Sequence, residues 1–187
     1  MSRAVSAGAA LLVIDMQRAI DDPRWGTRNH PDAENTGLAL LSAWRASGRA
    51  VFHVRHDSTE PASTYRPGQP GNEFKAGFEP RDGEPVIVKH VNNAFIGTAL
   101  EAQLRAAGHT QLVIFGVITN NSVESTVRMA GNLGFDAWLV EDACFTFARR
   151  DWSGVERTAD EVHAMSLANL DGEYCRVVQA SDVRAAL

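Results

Sequence analysis

Cysteine is scarce, with only Cys144 and Cys175 in 187 residues. Two cysteines cannot staple a fold of this size, and they fit a reducing compartment better than a secreted one, so the cytoplasm is the expected location. No apolar stretch approaches the roughly 20 residues that cross a bilayer. The small and apolar run from Ala4 to Ile14 follows Arg3 but becomes strongly apolar only at Leu11–Ile14 and ends on Asp15. That pattern reads as a buried first strand and not as an export signal. Basic runs are also missing: 18 Lys and Arg stand against 23 Asp and Glu, a net charge of −5. Nothing here could neutralise several phosphates, so neither nucleic acid nor a membrane is an expected partner, and a small molecule is. The serine-hydrolase elbow G-x-S-x-G, the P-loop and G-x-G-x-x-G are absent as well.

What is present is ordinary globular composition, 44% hydrophobic and 22% charged, near the soluble averages of about 45–50% and about 25%. The length fits a single domain over 1–187. Short apolar runs at Leu11–Ile14, Ala50–Val54, Val86–Val88, Leu112–Phe115, Ala137–Val140 and Arg176–Gln179 read as strands. Helical patterns alternate with most of them: Thr36–Ser47, Thr98–Ala107 and Val123–Leu133, each followed by a glycine stop, and Val155–Leu170. Strands buried on both faces and separated by helices predict a three-layer α/β/α sandwich around a mainly parallel six-stranded sheet. The Pro/Gly/Ser-rich stretch Asp57–Arg81 is long for a connection in a compact domain and is read as functional or disordered; Asp182–Leu187 is read as a short helix or a frayed end.

Ligands of parallel sheets bind beyond the carboxyl ends of the strands. That rule selects Asp15 after strand one, Arg55-His56-Asp57 after strand two, Lys89 after strand three and Gly116–Ser122 after strand four. Each has a plain structural alternative. Asp15 is a good helix N-cap type, Lys89 could be a surface lysine, and Ser122 could be a structural first-turn serine, with Asn121 as N-cap and Glu124 completing a capping box. In the functional reading Asp15 is a partly desolvated acid or base, Lys89 balances its charge, and Ser122 lies where first-turn N–H groups stabilise an anion. His53 and His56, three apart on a strand, face opposite sides and are poor co-ligands; His90, His109 and His163 have no ligand-spaced partner and are read as surface or packing residues. Both cysteines are read as small buried hydrophobes.

The segments Leu12-Val13-Ile14-Asp15-Met16-Gln17, Val88-Lys89 with Asn93-Ala94-Phe95-Ile96-Gly97-Thr98, and Gly116-Val117-x-Thr119-x-x-Ser122-Val123-x-x-Thr126 resemble the isochorismatase-like cysteine hydrolases. The resemblance is in order and spans nearly the whole chain. It implies an acid–lysine–cysteine triad at Asp15, Lys89 and position 122, a cis peptide at Val117–Ile118, and an oxyanion hole from the N–H groups of Ile118 and Ser122. It also implies a homo-oligomer, dimeric or tetrameric. Gln17, Trp25, His56, Asn92 and Phe95 are the expected pocket-lining residues.

Position 122 carries serine where the amide-cleaving members carry cysteine. The serine is either a replacement of the thiol or a natural variant. The leading expectation is cleavage of a C–N bond. The alternatives are vinyl ether hydrolysis with Asp15 as general acid and no covalent intermediate, and a non-catalytic ligand-binding relative. Nicotinamidase-like members hold a metal through an aspartate and histidines, but His53-Val54-Arg55-His56-Asp57 does not reproduce that spacing, so neither metal nor cofactor is expected.

Overall fold

A computed structural model describes residues 4–187. Six strands form one parallel sheet: β1 Ala10–Ile14, β2 Val51–His56, β3 Val86–Lys89, β4 Gln111–Gly116, β5 Asp136–Val140 and, after a short antiparallel hairpin of β6 Arg149–Arg150 and β7 Glu156–Arg157, β8 Arg176–Val178. Their spatial order is β3-β2-β1-β4-β5-β8. All of β1 and β4 is buried, and apart from Gln111 at the start of β4 these two central strands are apolar and carry no in–out alternation. The helices are α1 Ala33–Ala46, α2 Leu100–Ala106, α3 Glu124–Asn132, α4 Ala159–Ala168 and α5 Ala180–Ala185. α1 packs against α5. Right-handed crossovers put α1 on one face of the sheet and the connections through α2, α3 and α4 on the other, because the order runs outward from β1 to β3 and then back through β4. The expected three-layer sandwich is the one observed. No helix among the described residues is long and apolar enough to cross a membrane.

The start of α4 and the state of the long loop each have an identifiable cause. The helix anticipated from Val155 begins at Ala159, because Thr158 accepts the Glu161 N–H while the Glu161 carboxylate accepts the Thr158 N–H, a capping box that fixes the start. The preceding residues form the β6–β7 hairpin instead, its turn organised by Asp151, which accepts from Ser153, Val155 and Arg157. The Asp57–Arg81 segment is an ordered loop. Asn72, itself buried, donates through Nδ2 to the His56 and Tyr65 carbonyls and to Asp57 Oδ1, gathering the loop onto the end of β2.

The strand order reverses between β1 and β4, where Ile14 pairs with Gly116. Gly116 has φ +141, and a Cβ there would lie 2.1 Å from the Ile14 carbonyl oxygen. Only glycine permits both the conformation and the approach. Gly116→Ala is therefore expected to cost about 3 kcal/mol or more, lowering the melting temperature by roughly 6–12 °C for a chain of this size. Calorimetry on the variant checks this, and an unchanged melting temperature contradicts it.

Candidate active site

The chain leaves β1 through Asp15 with φ +52, a left-handed conformation that aspartate tolerates better than most residues. Strained backbone of this kind is commonly held where function requires it. Asp15 caps no helix: Oδ2 accepts from Lys89 Nζ at 2.7 Å, and Oδ1 is buried with no hydrogen-bond partner among the described residues. Lys89, the last residue of β3, is fully buried. Its ammonium lies 2.7 Å from Asp15 Oδ2, 3.3 Å from Ser122 Oγ and 3.4 Å from His56 Nδ1. An ammonium only donates, so its three N–H groups match three acceptors. The two structural alternatives, an N-cap aspartate and a surface lysine, do not describe these residues.

His56 must accept at Nδ1 and so carries its proton on Nε2. Its pKa is lowered first by burial and next by the Lys89 charge, which keeps the ring neutral. Tyr65 stacks edge-on to it at 5.6 Å and is held well above its ordinary pKa, chiefly by burial.

β4 leads into position 122 differently from expectation. After the Val117–Ile118 peptide, which is cis, a π-helical turn spans Thr119–Val123 and runs directly into α3. Asn121 already donates its N–H to Ile118 O, so it lies inside the turn and does not cap it. The expected Asn121–Glu124 capping box is absent: Asn121 Oδ1 accepts from Asn92, and Glu124 binds Arg128 and Ser166. Single π turns of this type recur at functional sites. Ser122 is buried at the carboxyl end of the sheet beside Lys89.

A cavity of about 390 Å³ opens over these residues, and Asp15, Trp25, His56, Asn92, Ile118 and Ser122 all line it. Two anticipated lining residues do not. Gln17 is fully buried, its amide bridging β1 to β2 and the loop by donating to His56 O and Asn72 O and accepting the His56 N–H. Phe95 turns away to stack on Phe135 at 5.9 Å. Arg55 and Asp57, expected at the same edge, pair with each other at 2.9 Å and are absent from the lining. The walls not anticipated are Ile20, Asp22 and Arg24 before Trp25; residues 62–65 of the long loop, a segment expected to be functional, also line the cavity. Asp22 and Arg24 form an ion pair, so the charge of one offsets that of the other at the rim.

The metal that nicotinamidase-like members would hold at the strand-two end has no matching ligand set here: Asp57 is paired with Arg55 and Asn72, and His56, Asp57 and His90 do not bring three donor atoms together among the described residues. His163, expected to have no partner, is instead buried close to His30 and Glu141, brought there from distant parts of the chain.

With this geometry, comparison with known proteins is direct. The isochorismatase domain model matches residues 9–181. The crystal structure of an isochorismatase-family protein from Chromobacterium violaceum ATCC 12472 superposes with a TM-score of 0.95 at 62% identity, covering 100% of this chain and 98% of that one. The isochorismatase family protein YrdC of Bacillus subtilis is 40% identical over 169 residues, 90% of each chain. Streptothricin hydrolase of Streptomyces noursei is 35% identical over 141 residues, covering 74% of this chain and 50% of that protein. The chain belongs to the isochorismatase family of hydrolases.

Two predictions follow from the pair and its neighbour. Lys89→Met leaves the Asp15 carboxylate buried without its cation, an arrangement that costs about 3–5 kcal/mol; urea denaturation should show that loss, and wild-type stability would mean the pair is not buried in solution. His56 has a folded pKa below its ordinary value of 6.5, so its contribution to stability is complete above that value and is lost as pH falls through the folded pKa. His56→Gln should flatten the decline in stability below pH 6.5; an unaltered pH profile contradicts the assignment.

Proposed function

We propose that the protein hydrolyses a C–N bond, of amide type, in a small molecule held in the cavity over Asp15, Lys89 and position 122. The observation that carries this reading is the placement of Lys89 Nζ between the Asp15 carboxylate and the Ser122 hydroxyl, with the second Asp15 oxygen unpartnered. An acyl transfer uses every part of that arrangement. The group at 122 attacks the carbonyl carbon, Asp15 takes its proton and returns it to the departing amine, and water deprotonated by Asp15 then attacks the acyl group, releasing the acid and restoring the group at 122, while the ammonium of Lys89 keeps Asp15 oriented. The N–H groups of Ile118 and Ser122 are the proposed donors to the oxyanion. Kinship with a hydrolase that takes streptothricin supports a small-molecule substrate.

Serine at position 122 supports a second reading. A hydroxyl is far harder to ionise than a thiol, whose ordinary pKa is about 8.5, whereas acid-catalysed cleavage of a vinyl ether needs only Asp15 as the proton donor and forms nothing covalent at 122.

Substitutions at two positions separate these readings. Asp15→Asn should abolish turnover in either, measured where the variant is still folded although Lys89 has lost its counter-charge; near-full rates on the true substrate would remove both. Ser122→Cys should create or greatly raise ammonia or amine release from small amides. Iodoacetamide should then alkylate the introduced thiol far faster than Cys144 or Cys175, whose thiols are pushed up to about 12 by burial. An unreactive thiol at 122 and full ether-hydrolase activity in Ser122→Ala would overturn the amide reading.

A further inference from the structure

A second group of chemistry-bearing residues lies outside the cavity just described. His30 sits in the loop before α1, Glu141 in the turn after β5 and His163 in the middle of α4, and one donor atom from each lies within 4.8 Å of the others. None of the three lines the catalytic cavity. We infer that His30, Glu141 and His163 form a site for a divalent transition-metal ion of the zinc type.

The arrangement of the atoms not facing one another is the main support. His30 Nδ1 bonds the Cys144 carbonyl at 3.0 Å, and a carbonyl only accepts, so the ring carries its proton on Nδ1 and leaves the Nε2 lone pair free. His163 Nδ1 bonds Thr119 Oγ1 at 2.9 Å, and Glu141 Oε1 accepts from Gln179 Nε2. Each of the three is thus anchored through its far atom, as metal ligands characteristically are. The near atoms converge: Glu141 Oε2 lies 3.4 Å from His163 Nε2 and 3.8 Å from His30 Nε2. Ligands held at 2.0–2.2 Å in a tetrahedron are roughly 3.3 Å apart, so the first spacing is nearly right and the second needs a few tenths of an ångström.

Two further features fit a cation. His163 is buried, a setting in which the neutral ring that a metal requires is the less costly form. The cleft over the three residues is also lined by Asp160 and Asp182, and no lysine or arginine lines it among the described residues. Two imidazoles and one carboxylate with an open side suit zinc and its neighbours better than calcium or magnesium, which prefer all-oxygen sets. His30 stands in the left-handed region at φ +42, and its ring centroid lies 4.6 Å from that of His163, edge to face.

The test is an equilibrium titration of chelator-treated full-length protein with zinc, repeated with cobalt(II), whose visible bands report coordination by nitrogen and oxygen. One equivalent should bind. His30→Asn, chosen because asparagine tolerates the left-handed backbone, and Glu141→Gln, which retains an oxygen and its place beside Gln179, should each weaken binding at least tenfold. Asp15→Asn should bind metal as the wild type does, which keeps this outcome separate from that of the hydrolase reading. Absence of binding to the wild type, or affinity unchanged in both His30→Asn and Glu141→Gln, overturns the proposal.

Discussion

The buried pair of Asp15 and Lys89 is the constraint around which this end of the sheet is organised. Removing two charges from water costs several kcal/mol per ion, and attraction repays this only when the geometry is good and the remaining polar atoms are engaged. Lys89 meets that condition with three acceptors from three different strand ends: Asp15 after β1, His56 at the end of β2 and Ser122 after β4. The strand register that brings Lys89 beside His56 and Ile14 beside Gly116 is therefore also what balances the charge. Asp15 keeps one oxygen unengaged, which is the expensive part of the arrangement and the part open to chemistry.

The surroundings keep other charges away from that oxygen. His56 and Tyr65 are both held neutral, chiefly by burial, and the ionised residues Asp22 and Arg24 face each other. The site thus contains one internal ion pair within a nearly neutral wall. A low local dielectric strengthens each remaining dipole and hydrogen bond.

The sheet and the strand-end residues were legible in the sequence because their signals are local. A four-residue apolar run closed by Asp15, and a three-residue one closed by Lys89, identify strand ends, and parallel topology places such ends together. The cavity walls were not legible in the same way. Gln17 and Phe95 lie in the right segments, but which way a side chain points is decided by partners elsewhere, the His56 backbone in one case and Phe135 in the other. The Asn121–Glu124 pattern misled because the helical turn begins earlier, at Thr119, so a good capping sequence fell inside it. His163 looked solitary because its neighbours, His30 and Glu141, come from separate connections.

The fastening of the long loop separates two properties that many enzymes entangle. Asn72 and Gln17 pin the loop from beneath, through backbone carbonyls, while residues 62–65 face the cavity from above. Side chains at 62–64 can therefore be exchanged without touching either the anchors or the ion pair, whereas Tyr65 also packs on His56. The walls over the cavity are then free to diverge in evolution apart from the ion pair beneath them, and one floor can serve under many different roofs.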